Sequence, residues 1–499
     1  MKWSQLTQFG QKSKSCYNIK QMRNEFSELK SEIEYRQKDI NFAAGQKGKN
    51  RYTLLREGNP RKILIHGIPF LITINENEKL EVVSGRSILI EDGVIVKVLK
   101  ATELSFVDLT EIDLIYDAEL GGGIVVTPGL VNAHAHPPMY LLRSTLTFSE
   151  ANLEKTLKGM ARLEGKMTED DFFLGAVGDF TEQQKFGIST TLSHYGVFEP
   201  IDDAGKLTGH EVINAVSAVS NSHPENTPAM VERYLKNKAK YHTEPAIAIH
   251  EPHKASPAIF KKVRLLQKKY NALFTIHVAE TKESLEKSMK KFGEHPVKVL
   301  DRFGLLNPRT MMSHVVHVGR EDVELIQKRR VGVVHLPTSN LLHRSGQFDY
   351  PLFHKIKATK QIALGTDSVV SKNRLDLLTE ALQTKTMHQN KKIVPYSDLF
   401  NMITAQGAKL LGLPKVGKIL PGYRADIAFW KLQDRGFLPY NSNDPKTLVS
   451  NMITYGGRNI RDLMINGNFV ISNRKHNFIN ETSLLTQLQQ AHMKLRKRI

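Results

Sequence analysis

Residues 121–138 read "GGGIVVTPGLVNAHAHPP". After the glycine cluster, the apolar, β-branched run reads as a buried strand entered from a turn. If that strand carries on through 129–136, His134 and His136 face the same side, because side chains alternate along a strand with a period of two. Two imidazoles then converge at a strand end. Such a pair can hold a metal ion, or it can be no more than a polar strand end. The rest of the chain has to decide.

Working outward, short β-branched runs alternate with longer amphipathic segments from 124 to about 370, the pattern of parallel βα units. The candidate strands are "GIVVTPGLVNAHAH", "ISTTLSHY", "NAVSAVS", "PAIAIHEPH", "LFTIHVAE", "TMMSHVVHV", "VGVVHLPTSN" and "QIALGTDS". Helical stretches such as "PAIFKKVRLLQKKY" and "REDVELIQKR" lie between them. Eight strands with intervening helices point to an α/β fold, a closed (β/α)8 barrel of the TIM type rather than an open sheet.

Both flanks of this region are made of short strands: "KILIHG", "FLITIN" and "SILIEDGVIVKVL" before it, "GYRADIAFW" and "IRDLMINGNFVISN" after it. The "EDG" between apolar runs is a hairpin signal. Because the flanks are alike, they are expected to fold together as one small composite β-sandwich domain. The expected plan is a basic helical extension over 1–60, the first part of the β domain over 61–127, the barrel over 128–415, the second part of the β domain over 416–475, and a C-terminal basic helix over 476–499. In the extension, Ile19, Met22, Phe26, Leu29, Ile33 and Ile40 form one helical stripe interrupted by Arg36, and "AAGQKGKNR" reads as a linker.

The chain has 499 residues, 40 % of them apolar, enough for a large core. Its single cysteine, Cys16, excludes an intrachain disulfide and a thiolate metal cluster. Any metal site must therefore use His, Asp or Glu. With no apolar run near the ~18 residues of a membrane span and no signal-peptide pattern, a cytoplasmic protein without a membrane partner is expected. The formal net charge of +19 raises nucleic acid as a partner. However, residues 1–62 alone carry 14 basic and 6 acidic residues, and the remaining excess forms no long stripe. A solvated basic surface is favoured, with Lys12–Arg23 and Lys494–Arg498 as the segments where RNA would bind.

In a (β/α) barrel, side chains at the C-terminal ends of the strands meet in one site however distant they are in sequence. Those ends carry His134 and His136, then His277 and Glu280 in "HVAE", His314 in "MSHVVHV" and Asp367 in "GTDS". A set distributed in this way decides for metal over accident. Three imidazoles and a carboxylate suit Zn²⁺ or Fe²⁺ with a position left for water, whose pKa such a site lowers toward about 7.

The motifs "PGLVNAHAHPPMYLLR", "HVAET", "VVHLPTSN", "LGTDS" with "NRLDLLTEA", and "PGYRADIAFW" resemble the amidohydrolase superfamily. Within it they are similar to the aminohydrolase branch of methylthioadenosine/S-adenosylhomocysteine deaminases, guanine and cytosine deaminases, and triazine hydrolases. The likeness covers about 61–475. It implies that His134, His136, His277 and Asp367 hold a single divalent ion, zinc first and iron(II) second, and that Glu280 passes a proton to a substrate ring nitrogen. It also implies that His314 stands beside the bound water and substrate, and that Asp367 takes the water proton. Glu164 matches a ribose-binding glutamate and His253 a substrate-contacting histidine. His194, His317, His335, Ser339 and Asn340 read as polar rim residues. The fourth strand lacks the terminal lysine of two-metal relatives, and Lys254 beyond it reads as a solvated loop residue.

The expected activity is hydrolytic deamination of an aminated N-heterocycle, an adenosine-like nucleoside or nucleobase, with release of ammonia. The alternatives are hydrolytic dechlorination or amide hydrolysis on triazine-like or cyclic amide substrates and, from another class, a non-catalytic binding protein on the same fold. Between 196 and 244 the only arginine is Arg233, which does not match a carboxylate clamp and counts against S-adenosylhomocysteine. Members of the family are often homo-oligomers.

Overall fold

The structure is a computed structural model that describes residues 51–56, 60–143 and 153–498. The expected stripe from Ile19 to Ile40, the linker after it and the basic segment Lys12–Arg23 lie outside the described residues. Eight parallel strands, β1 (Leu130–Ala135), β2 (Ile188–Tyr195), β3 (Glu211–Ser217), β4 (Glu244–Ile249), β5 (Phe274–Val278), β6 (Thr310–His314), β7 (Gly332–His335) and β8 (Ile362–Leu364), pair in sequence order. A parallel bridge between Ala135 and Asp367 joins the last strand to the first. All eight overlap the stretches marked by sequence pattern, and two start ahead of them: β3 at Glu211, three residues before "NAVSAVS", and β4 at Glu244, one before "PAIAIHEPH".

Alternation along the strands explains how the barrel fills. In β4, Ile247 and Ile249 join the large apolar cluster shared with the surrounding helices, whereas Ala246 and Ala248 join a separate cluster with Ala215, Val334 and Ala363. Likewise Phe274, Ile276 and Val278 of β5 pack into the large cluster, which leaves Thr275 and His277 on the opposite face. The helices start and stop where local chemistry dictates. Pro257–Tyr270 is capped by Ser256, whose side chain accepts from the Ile259 N–H, begins with proline, and ends at Asn271 in the left-handed conformation.

Closure of the ring rests on a polar seam. The Asp367 N–H donates to the His134 carbonyl at 3.0 Å and the Thr366 N–H to Asn132 Oδ1 at 2.9 Å. The Asn132 amide in turn donates to Thr366 Oγ1 at 2.7 Å and to Gln183 Oε1 at 2.9 Å. At Gly365 the two strands come so close that a Cβ would lie 2.9 Å from both the N and the O of His134. Gly365→Ala is therefore expected to destabilise the protein by about 1–3 kcal/mol through overpacking against backbone. Urea denaturation with an unchanged midpoint would show that the seam yields.

The stretch read as one long strand is two. Ile124–Pro128 belongs to the other sheet, where it pairs antiparallel with Ile427–Lys431, and after Gly129 the chain enters the barrel at Leu130. That sheet has ten strands from both chain ends. The "EDG" hairpin pairs Glu91 with Val94 across Asp92 and Gly93, both at positive φ. Tyr116, Phe429 and Phe469 form its aromatic core, and the buried Trp430 indole donates to Thr127 Oγ1 at 2.9 Å. The last helix, Glu481–Lys497, buries Leu484, Leu488, Ala491 and Leu495, and His492 Nδ1 donates to the Leu141 carbonyl at 2.9 Å. Among the described residues no helix is long and apolar enough to cross a membrane.

Candidate active site

The C-terminal strand ends bring four of the expected side chains together. His134 is the last residue but one of β1 and His136 lies just past the strand; their Nε2 atoms are 3.1 Å apart. His277 Nε2, from β5, is 3.0 Å from His134 Nε2. Asp367 Oδ1 stands 3.3 Å from His136 Nε2 and 3.9 Å from His134 Nε2. All four residues are buried. Donor atoms bound at about 2.0–2.2 Å to one ion lie roughly 3–3.5 Å from one another; those of His134, His136 and Asp367 come within 4.8 Å of one another, and His277 joins them through His134. Partners behind the rings aim them. The His136 Nδ1–H donates to the His194 carbonyl at 2.6 Å, and His134 Nδ1 meets Ser313 Oγ at 3.0 Å, which turns each Nε2 toward the common point.

The backbone at this rim is strained. Ala279, His314, Val315 and Asp367 all have positive φ, between 49° and 69°. For residues with a Cβ such conformations cost on the order of 1–3 kcal/mol each and concentrate at functional sites.

Electrostatics fit a cation. Burial drives the His134 and His277 imidazoles well below their ordinary range, so both are neutral and able to ligate. Burial alone would raise Asp367, but the hydrogen bond from His136 and the surrounding imidazoles hold it well below the usual carboxylate range. Glu280 behaves in the opposite way: burial first, then the negative charges of Asp367 and Glu251, push it well above that range. Two carboxyl groups in one pocket are thus pushed in opposite directions, Glu280 toward its protonated form and Asp367 toward its ionised one. Glu280 Oε1 accepts from Ser345 Oγ at 3.4 Å, and Oε2 lies 3.5 Å from His314 Nε2. The His314 Nδ1–H donates to Asn340 Oδ1 at 2.8 Å, which leaves Nε2 toward Glu280.

A cavity of about 570 Å³ opens from this cluster, and Glu164, His223, His250, Glu251 and His253 line its walls. Glu164 ends the helix Leu153–Glu164, and its carboxylate is 3.8 Å from His223 Nε2. Burial would raise it, yet the neighbouring His223 and Tyr195 side chains bring it below its usual value. His253 sits in the short turn Pro252–Lys254, its Nε2 3.7 Å from Glu251 Oε2. Lys254 is exposed and donates to His250 Nδ1 at 3.0 Å. Of the rim residues, Asn340 backs His314, His317 Nε2 donates to the Ser345 carbonyl, and His335 is stacked on Phe348. Ser339 is buried.

Two residues that sequence reasoning passed over line the cavity. His250 directly follows β4, with its ring 4.8 Å from that of His277. The signal was present: "AIAIH" ends on it as "TIH" ends on His277. His223 lies in the loop after β3, where no periodicity marks it.

The family description "Amidohydrolase family" matches residues 125–470. The chain is similar to the 5-methylthioadenosine/S-adenosylhomocysteine deaminase of Pyrococcus furiosus, 31 % identical over 409 residues that cover 80 % of this chain and 93 % of the relative. It is also similar to the deaminase of the same name from Halothermothrix orenii, 28 % identical over 448 residues covering 86 % and 98 %. Among solved structures, an adenosine deaminase from Xanthomonas campestris with bound zinc superposes with a TM-score of 0.79 at 22 % identity, covering 88 % of this chain and 99 % of that one. An atrazine chlorohydrolase from Arthrobacter aurescens complexed with zinc gives 0.76 at 20 % identity, covering 86 % and 100 %. These structures share the fold. Matched across the barrel and much of the flanking sheet, and aligned along nearly the whole of its relatives, the chain belongs to the amidohydrolase family.

Proposed function

We propose that this protein is a hydrolytic deaminase of an aminated N-heterocycle, of the adenosine-like nucleoside class, working with one zinc ion held by His134, His136, His277 and Asp367. The observation that carries the reading is Glu280: a buried carboxyl 3.5 Å from His314 Nε2, pushed by burial toward its protonated form, at the edge of a centre where Asp367 is pushed the other way. A divalent ion bound there supplies Lewis acidity and makes water nucleophilic at neutral pH. Asp367, held ionised, takes the proton of the attacking water. Glu280 gives its proton to the ring nitrogen next to the carbon under attack, which removes the negative charge that would otherwise build on the ring. His314, its tautomer set by Asn340, offers Nε2 to the attacking oxygen. A C–O bond forms, the C–N bond breaks, and the amine leaves as ammonia with the transferred proton.

At the other end of the cavity Glu164, lowered in pKa beside His223 and Tyr195, suits the two hydroxyls of a ribose. Arg233 bonds Glu199 and the Tyr234 hydroxyl, at 3.4 and 3.1 Å, instead of the cavity. Glu164→Gln is expected to raise KM for nucleosides by roughly 10- to 100-fold, the worth of a hydrogen bond to a charged group, while kinetics on the matching free base stay the same. Equal effects on both would remove Glu164 from sugar recognition. The overall reading is tested by metal analysis followed by ammonia release from aminated purines, pyrimidines, pterins and triazines, each as base and nucleoside where both exist. Metal-replete protein that liberates ammonia from none of them would sink the deaminase assignment.

A further inference from the structure

The segment after β7 supplies a hydrogen-bonding partner to both His314 and Glu280. The short helix Pro337–Leu342 carries Asn340, whose Oδ1 accepts from the His314 ring, and just past its end Ser345 turns its hydroxyl to Glu280 Oε1. The two residues are tied together, because the Ser345 N–H donates to the Asn340 carbonyl at 2.9 Å. Glu280 thus meets Ser345 through one oxygen and His314 through the other. A protonated carboxyl has one O–H to give and accepts through its remaining lone pairs. With Oε1 taken up as acceptor, the proton is left on Oε2, the oxygen on the His314 side.

At 3.4 Å the bond from Ser345 to Glu280 is long, so it depends on where the Ser345 backbone is held. His317 holds it. The His317 Nε2–H donates to the Ser345 carbonyl at 2.6 Å, while its backbone N–H donates at 3.0 Å to the carbonyl of Ala279, the residue before Glu280. One residue therefore grips the chain on both sides of the Ser345–Glu280 contact. The packing leaves little slack: at Gly346, with φ +127°, a Cβ would lie 2.8 Å from Val316 Cγ1 and 3.3 Å from His317 Nε2. Behind His317, the His295 Nε2–H donates to its carbonyl at 2.9 Å. Neither His317 nor Ser345 is among the residues that line the cavity.

We propose that His317 is a positioning residue for the acid: its ring fixes the Ser345 segment so that the Ser345 hydroxyl engages Glu280 Oε1 and the acidic proton is turned toward His314 and the reacting atoms. This rests on the role given to Glu280 above.

The test uses the full-length, metal-replete protein as wild type, His317→Phe, which keeps a ring but no donor, His317→Gln, which keeps a donor at similar reach, Ser345→Ala and Glu280→Gln. On the compound that releases ammonia fastest in the screen above, kcat is expected to fall about 10- to 100-fold in His317→Phe and Ser345→Ala, the scale of a misplaced catalytic group, with KM held. His317→Gln is expected to recover most of the loss, and Ser345→Ala to cost nothing further once Glu280 is replaced by Gln. A loss that falls on KM, that glutamine does not recover, or that persists undiminished in the Glu280→Gln background marks a merely structural role and overturns the proposal. A second readout needs no substrate. The carbonyl stretch of protonated Glu280 is isolated, across a pH series, as the infrared difference between each protein and its Glu280→Gln counterpart. It is expected to move to higher wavenumber in Ser345→Ala and His317→Phe, as the hydrogen bond to Oε1 is lost, and a band that stays in place in the folded variants overturns the proposal. If His317→Phe does not fold, His317→Asn, whose amide falls short of the Ser345 carbonyl, takes its place. Absence of turnover on every compound defeats the deaminase reading while the infrared band still decides this one. A wild type without any Glu280 band removes the acid, and this inference with it.

Discussion

His277→Ala is expected to reduce metal content well below one ion per chain and turnover to background. His277 is one of the three imidazoles proposed to hold the ion, and its Nε2 is 3.0 Å from that of His134. Its loss removes a bond to the cation, whereas substituting a partner that merely orients a ligand costs about 10–100-fold in affinity. The loss of a ligand should exceed that range. Elemental analysis after dialysis against a chelator is the direct measurement. Thermal unfolding is the second, because an ion that binds only the folded state stabilises it by about 2.7 kcal/mol at a hundred times its Kd. Zinc should raise the Tm of the wild type and leave that of the variant unmoved. A variant that retains a full ion and the zinc-dependent shift would take His277 out of the ligand set.

Glu280→Gln should behave differently, with metal content intact and kcat lower by about 10²- to 10⁴-fold, the usual contribution of a positioned acid or base. The amide keeps the size of the side chain and can still accept from Ser345, so the pocket should hold its shape. The pH profile adds an independent readout. An acid works only while it carries its proton, and burial places the Glu280 carboxyl above the usual range. Wild-type activity should therefore fall as pH rises through that raised value, and the variant should lack this alkaline limb. Retained activity with an unchanged profile would exclude Glu280 from proton transfer.

Much of the fold is legible because buried parallel strands are apolar runs with polar ends, and each of β1 to β8 has that form. The helices Pro257–Tyr270 and Arg320–Arg329 coincide with their periodic stretches. The division at Gly129 was not legible, because Ile124–Pro128 and Leu130–Ala135 are equally apolar and only their partners differ. In the site, residues at strand ends could be read from one rule, which places His134, His277, His314 and Asp367 at one rim. His250 obeys the same rule but follows a strand examined for a lysine. His223 obeys no rule: it reaches Glu164 across the cavity from a loop of a different βα unit, a contact made by tertiary packing alone. The reach of His317 to the Ser345 carbonyl likewise emerges only once the fold is known.

The seam at Gly365 bears on the order in which the molecule is assembled. Asp367 is hydrogen-bonded to His134, yet the two are separated by most of the barrel sequence. A chain leaving the ribosome presents both early histidines long before the aspartate exists, and contacts of such long sequence separation form late and slowly. The ring cannot shut until the eighth stave arrives beside the first. With the ligand set proposed above, capture of an ion would be tied to that final act of folding, and unfinished chains would lack the full set of donors.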